Sequence, residues 1–366
     1  MSATVLVDVI AAARPNFMKV APLYHALSKV SWCRVRLVHT GQHYDANMSD
    51  SFFRDFGLPK PDVHLEVGSG SHAEQTGRVM MAYENVCLEE RPDWVIVVGD
   101  VNSTAACALA AVKLGIRVAH LEAGLRSRDR SMPEEINRLV TDAIVDLLWT
   151  PSRDADANLL AEGIPPEKID FVGNIMLDSF ELVRPRIAKA DTLAKLGLDL
   201  DRYAIVTLHR PSNVDDPATL ALLVEQLVES SERVPLVFAV HPRTRARLES
   251  SGLLERLESA PAVHLIEPQG YIDFMHLVTS AQIAITDSGG IQEETTYLGI
   301  PCLTLRENTE RPVTLTEGSN RLLKPAELVA TVDQVLGDET RRRTPPELWD
   351  GQAAGRIVAS LAQRIG

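Results

Sequence analysis

Three carboxylates in this sequence stand where acid/base chemistry would place them. Asp100 closes the apolar run Trp94–Gly99, within Gly99-Asp100-Val101-Asn102-Ser103-Thr104. Glu122 closes the next run, within Ala119-His120-Leu121-Glu122-Ala123-Gly124. Glu134 follows Pro133 at a helix start, and Arg138 lies one turn further on. Plainer readings exist for two of them: Asp100 as a helix N-cap, and Glu134 as a first-turn carboxylate paired with Arg138. Glu122 is harder to set aside, because a carboxylate that ends a buried strand needs a partner or a task.

The segment Asp287-Ser288-Gly289-Gly290-Ile291-Gln292-Glu293-Glu294 carries a second chemistry. A Ser-Gly-Gly turn that opens a helix offers bare backbone N–H groups at the positive helix end, a seat for a diphosphate. Glu294 is near enough to the turn to accept hydrogen bonds from ribose hydroxyls. Ser288 and Asp287 are also good helix caps, so by itself the segment is balanced between a phosphate seat and a capped helix. Cations after other apolar runs shift that balance. They are Arg14 and Lys19, His209-Arg210, His241-Pro242-Arg243, and Arg311 in Glu307-Asn308-Thr309-Glu310-Arg311-Pro312. Any one reads as solvated surface charge. Their recurrence in both halves implies a cationic cleft between two domains, suited to a nucleotide diphosphate. Carboxylates facing the same cleft imply acid/base work on a sugar rather than on the phosphates.

The elements that must position these residues alternate along the chain. Val5–Ile10, Val35–Thr40, Trp94–Gly99, Val118–Leu121 and Leu147–Pro151 are apolar runs of strand length. Ala204–Leu208, Leu236–Val240, Val263–Ile266, Ile283–Thr286 and Cys302–Leu305 repeat the pattern in the second half. Helical stretches such as Ala105–Leu114 and Ala218–Glu229 separate them, and Gly355–Ile365 reads as a last amphipathic helix. Alternation of this kind with nearly all-apolar strands predicts two Rossmann-like doubly wound α/β domains with parallel sheets. In such sheets ligands bind beyond the carboxyl ends of the strands, where the polar residues above fall. The join is expected between Asp178 and Tyr203.

Composition narrows the function classes. The chain of 366 residues, with 45% hydrophobic and 24% charged residues, suits two folded domains. A net charge of −13 speaks against a general nucleic-acid or membrane-surface partner. No apolar run approaches a membrane span, and no signal peptide precedes Val5-Leu6-Val7, so a cytoplasmic protein is expected. Cys33, Cys87, Cys107 and Cys302 lack Cys-x-x-Cys spacing and read as reduced thiols. No metal signature, Gly-x-Gly-x-x-Gly after the first strand, or Walker motif is present, so neither metal nor cofactor is expected.

Taken in order, these residues resemble the non-hydrolysing UDP-N-acetylglucosamine 2-epimerases over essentially the whole chain. The matching stretches begin with Arg14-Pro15-x-x-x-Lys19-x-Ala21-Pro22-Leu23, Gln42-His43, Gly99-Asp100 and His120–Arg126. They continue with Pro133-Glu134-Glu135-x-Asn137-Arg138, His209-Arg210, His241-Pro242, Thr286–Glu294 and Thr309-Glu310-Arg311-Pro312. The resemblance implies a glycosyltransferase-B architecture with the active site between domains 1–178 and 179–351, the last helix (352–366) joining the first. It also implies a homodimer formed through the N-terminal domain and a role in supplying a surface-polysaccharide sugar.

The implied reaction removes the C2 proton of a UDP-linked 2-acetamido sugar while UDP departs, then returns both to give the C2 epimer. By similarity Asp100, Glu122 and Glu134 are the acid/base groups, and His209 assists the leaving diphosphate. Ser288, Gly289, Gly290 and Glu294 would hold phosphate and ribose. Arg14, Lys19, His43, Arg138, Arg210, Gln269, Phe274 and Arg311 match other substrate-contacting positions, with Phe274 near the uracil. The chain departs from many members at Ala12-Ala13, where they carry glycine-threonine, and in Tyr44–Met48, beside the segment through which some bind an activating second substrate. A diacetamido uronic acid substrate and a hydrolysing reaction stand as alternatives, with a glycosyltransferase and a non-catalytic sensor behind them.

Overall fold

The computed structural model describes residues 4–12, 14–41, 53–338 and 344–365, with the side chains of Arg14 and Pro15 outside that description. These residues fall into two compact units, one of 1–183 with 347–366 and one of 184–346.

The first unit runs β1 (Val5–Ala11), α1 (Arg14–Leu27), β2 (Cys33–His39), β3 (Val63–His64), α2 (His72–Glu89) and β4 (Trp94–Val98). It continues with α3 (Asn102–Lys113), β5 (Arg117–Leu121), α4 (Pro133–Ile144), β6 (Leu147–Thr150), α5 (Arg153–Ala161) and β7 (Ile169–Phe171). The seven strands form one sheet in the order β3-β2-β1-β4-β5-β6-β7, every pairing parallel. All five residues of β4 are buried, as a strand covered on both faces requires. Val79 and Tyr83 of α2 and the alanine-rich face of α3 pack over Val95 and Val97 in the core. Small side chains there let α3 lie close to the sheet.

The second unit runs β8 (Ala204–Thr207), α6 (Pro217–Ser231), β9 (Leu236–Ala239), α7 (Pro242–Ser250), β10 (Val263–Ile266) and α8 (Tyr271–Ser280). It continues with β11 (Ile283–Thr286), α9 (Gly289–Leu298), β12 (Cys302–Thr304) and β13 (Asn320–Leu322), and a helix over Leu328–Leu336 follows. Its six strands are again all parallel, in the order β10-β9-β8-β11-β12-β13. Leu223 and Leu227 of α6 pack with Val206, Phe238 and Ile285 in its core.

The last helix, α10 (Ala353–Ile365), belongs to the first unit. It packs on α1, and Asp178 accepts the N–H groups of Ala353 at 3.0 Å and Ala354 at 2.8 Å, capping it from another segment. Trp149 and Trp349 tie the same region together through Ser360 and the Pro151 carbonyl.

Three strands, β3, β7 and β13, have no counterpart in the sequence reading. Each lies at a sheet edge, spans two or three residues and is only partly buried, so it carries no apolar run to recognise. In both sheets the strand order reverses direction at one place, between β1 and β4 and between β8 and β11. Those two switch points decide where ligand-binding residues collect.

Candidate active site

At the first switch point, β4 gives way to Gly99-Asp100 and β5 to Glu122. Gly99 donates its N–H to the Leu121 carbonyl at 3.0 Å, which holds the two strand ends level. Gly99 has φ +68°, and a Cβ there would come within 3.3 Å of Asn16 Nδ2 and 3.4 Å of Lys19 Nζ. Glycine is needed at this position both for the turn and for the approach of these α1 side chains.

Glu122 is the unusual residue of the cluster. Its φ is +70°, a left-handed conformation that costs a non-glycine residue of order 1–3 kcal/mol. Lys19 donates to its Oε2, while its Oε1 is buried and accepts no hydrogen bond from the described residues. Both residues are buried, Glu122 at 4% exposure. A strained backbone and an unsatisfied buried oxygen in one residue mark a group held for something other than stability.

Asp100 is a third exposed and receives Arg138 through Nε at 3.0 Å and Nη2 at 2.8 Å. Val101, not Asp100, occupies the N-cap position of α3, so the capping role does not hold. Arg138 is shared with Glu135, which in turn accepts the N–H groups of Ser127 and Arg128 at 2.9 Å each. The expected Glu134–Arg138 pair is therefore not made. Arg138 points to the loop side of α4, where Glu135 and Asp100 lie, and Glu134 makes no hydrogen bond or ion pair among the described residues. Burial alone would raise the Glu135 carboxyl, but those backbone donors and Arg138 hold it below its ordinary range.

Behind this cluster runs a buried chain that the sequence reading did not contain. His120 bridges the Gly99 carbonyl at 2.7 Å and Asp142 at 2.6 Å, and Asp142 also meets Arg126 at 2.8 Å. Burial works against an ionised Asp142, yet His120 and Arg126 outweigh it and keep its carboxyl low. The chain braces the Gly99-Asp100 turn from the rear. His120 and Arg126 lie within a matched motif, but Asp142 had no sequence signal beyond its place on α4.

At the second switch point, β8 leads into His209-Arg210 and β11 into Asp287-Ser288-Gly289-Gly290. Ser288 is the N-cap of α9 but its side chain makes no capping bond, and its own N–H goes to Thr286 Oγ1 at 3.0 Å. Asp287 does not cap α9 either; its carboxylate turns to His209, Arg210 and Asn213. Among the described residues the first N–H groups of α9 are therefore left without a side-chain acceptor, the condition for binding an anion. A Cβ on Gly290 would meet nothing within 4 Å, so the approach to those groups is open.

Glu294 lies in the second turn of α9 and is buried, accepting the Tyr271 hydroxyl at 2.8 Å. Burial pushes its carboxyl up to about 8, against the Tyr271 hydroxyl and together with neighbouring Glu293. Arg311 is not the open cation the sequence implied. It lies 2.8 Å from Glu293 and 2.6 Å from Glu310, both buried carboxylates. Arg210 directs its Nε to the Asp287 carbonyl at 3.1 Å, and Gln269 donates to the Glu267 carbonyl at 2.7 Å. Phe274 lies half-buried on α8. His43 and the side chain of Arg14 lie outside the described residues, as do Ala13 and Tyr44–Met48.

A family profile described as UDP-N-acetylglucosamine 2-epimerase matches residues 25–362. The chain belongs to the UDP-N-acetylglucosamine 2-epimerase family. A relative named UDP-N-acetylglucosamine 2-epimerase, from Methanocaldococcus jannaschii, is 42% identical over 97% of this chain and 98% of its own. A Pseudomonas aeruginosa relative named UDP-2,3-diacetamido-2,3-dideoxy-D-glucuronate 2-epimerase is also 42% identical, over 97% and 98%. The crystal structure of the M. jannaschii UDP-GlcNAc 2-epimerase, in complex with UDP-GlcNAc and UDP, superposes with a TM-score of 0.87. It is 41% identical, covering 98% of this chain and 99% of that one. The two Rossmann-like parallel-sheet domains expected from the sequence are thus borne out, and the glycosyltransferase-B architecture comes with this match. The family is one of isomerases. Among the described residues no helix is long and apolar enough to cross a membrane, and no cluster of His, Cys, Asp or Glu is placed to hold a metal ion.

Proposed function

We propose that this epimerase-family chain interconverts UDP-N-acetylglucosamine and UDP-N-acetylmannosamine by eliminating and re-adding UDP. The observation that carries the reading is Glu122, a buried carboxylate in a strained conformation whose Oε1 has no partner among the described residues. One of Asp100, Glu122 and Glu134 removes the C2 proton. The C1–O bond breaks with its electron pair leaving on the β-phosphate, and the sugar becomes a 2-acetamidoglucal. A proton is then returned to the opposite face of C2 and the phosphate oxygen re-adds at C1.

The C2 proton is weakly acidic, so UDP departure must share the work. The first N–H groups of α9 suit that task, since they favour the diphosphate more as its charge grows. On this reading the first unit carries the acid/base groups, and Ser288, Gly289, Gly290, Glu294 and His209 of the second are the groups that bind UDP.

Proton NMR of UDP-N-acetylglucosamine with the protein in deuterium oxide tests the proposal. Deuterium at C2 together with the manno epimer is expected. Free N-acetylmannosamine and UDP as main products would make the reaction a hydrolysis. The P. aeruginosa relative favours a second substrate, the UDP-linked diacetamido glucuronate, since its identity to this chain equals that of the M. jannaschii protein. C2 exchange in that compound alone would replace the first substrate with it.

We further propose a cytoplasmic homodimer serving surface-polysaccharide synthesis. Met81 and Leu88 on α2 and Ile136 and Val140 on α4 are exposed apolar residues of the first unit, which suits contact between N-terminal domains. Sedimentation of the purified protein as a monomer would exclude the dimer.

A further inference from the structure

We propose that Asp287 is a positioning residue for His209: it fixes the ring with Nδ1 protonated, so that Nε2 is the nitrogen presented to the departing diphosphate. What His209 does rests on the epimerase reading; how it is held does not. The two residues follow β8 and β11, neighbouring strands whose ends are level, with Thr207 opposite Thr286. His209 Nδ1 lies 2.8 Å from Asp287 Oδ1. The same carboxylate accepts the backbone N–H of His209 at 3.0 Å, that of Arg210 at 2.9 Å, and the Asn213 side-chain amide at 3.1 Å.

The backbone and amide neighbours are all donors. A carboxylate that accepts from all of them is ionised, and the Nδ1 facing it must carry its hydrogen. The charge balance agrees: burial opposes ionisation, but His209, Arg210 and Asn213 outweigh it and hold the Asp287 carboxyl low. Asp287 is fully buried and the His209 side chain is 40% exposed, so the fixed edge of the ring faces inward and Nε2 is left for a ligand. The Asn213 amide also donates to the Leu305 carbonyl at 2.9 Å, which anchors the arrangement to the end of β12.

This geometry divides the proton work. As the C1–O bond breaks, its electron pair goes to the β-phosphate oxygen and the proton on Nε2 follows. The proton on Nδ1 stays with Asp287, and re-addition of UDP returns the other to Nε2. A carboxylate behind Nδ1 stabilises the doubly protonated ring before UDP departs and again once it has re-added.

Two measurements on the full-length protein test this. With 15N-labelled histidine, and the signals assigned by comparison with His209→Gln, the neutral His209 ring should carry its hydrogen on Nδ1. A neutral ring carrying its hydrogen on Nε2 overturns the proposal. Asp287→Asn should lower kcat by about 100- to 10,000-fold with UDP affinity changed by less than about 3-fold. Unchanged kcat, or a parallel loss of kcat and UDP binding, reduces Asp287 to a tie between loops and overturns its positioning role. If the wild-type protein fails to exchange the C2 proton, the epimerase reading falls while the ring assignment is judged on its own spectrum.

Discussion

Lys19 holds one carboxylate oxygen of Glu122, and the other oxygen of that carboxylate is buried with no hydrogen bond from the described residues. The pair spans 103 residues of sequence and joins the first helix to the end of β5. It fixes where Glu122 is while leaving one oxygen for a reacting proton. Glu122→Gln should therefore lower kcat by about 100- to 10,000-fold, the usual contribution of a positioned acid/base group. The variant should keep its fold at reduced stability, because buried Lys19 loses its ionic partner. Activity close to wild type in a steady-state assay would take Glu122 out of the mechanism.

Gly289 and Gly290 separate two effects. A Cβ on Gly290 has open space, and alanine restricts the unfolded chain, so Gly290→Ala should raise stability by about 0.4–1 kcal/mol. The same methyl group would project beside the first N–H groups of α9 and should weaken UDP binding. At Gly289 a Cβ would lie 3.0 Å from Glu310 Oε1 and 3.1 Å from Arg311 Nη1, so Gly289→Ala should lose both stability and affinity. Calorimetric UDP titrations beside thermal melts distinguish the two. An affinity unaffected by either change would remove the diphosphate seat from α9.

Arg311→Ala removes the buried cation that faces both Glu293 and Glu310, although Glu310 keeps Arg306 at 3.0 Å. Breaking a buried pair in this way costs about 3–5 kcal/mol. The substitution should thus lower denaturant stability as well as UDP affinity, and Arg311→Lys should recover only part of either, since a point charge cannot span both carboxylates. A stability loss below about 1 kcal/mol would show that the two glutamates do not depend on Arg311.

Asp178 couples the docking of α10 to pH. Burial raises its carboxyl to about 6 from an unfolded value of 3.8, against the two N–H groups of α10, while Asp350 adds to the rise. The native protein therefore binds this proton more tightly than the unfolded chain does. Its stabilising contribution is complete below about pH 4 and is lost as pH rises through about 6, a change of about 3 kcal/mol. Relative to Asp178→Asn, the wild type should lose stability between about pH 4 and 7. A difference between the two that stays flat across this range would show that Asp178 does not titrate there.

Much of the site was legible before folding. Apolar runs followed at once by Gly99-Asp100, Glu122, His209-Arg210 and Asp287–Gly290 mark strand ends, because buried strands need continuous apolar sequence and their carboxyl ends do not. The family motifs, being runs of adjacent residues, could be read in the same way. What the sequence determined was therefore local: which segments are strands and helices, and which residues follow them. Only the tertiary structure decided the strand order that puts β1 beside β4 and β8 beside β11. It alone paired Arg138 with Asp100 and Glu135 in place of Glu134, closed Arg311 between two glutamates, and turned Asp287 from a cap into the partner of His209. Side-chain pairing depends on which segments the sheets bring together, and periodicity within one segment holds no information about that. The left-handed backbone at Glu122 was hidden for a related reason. No residue preference calls for it, and only the surrounding packing can hold a glutamate there.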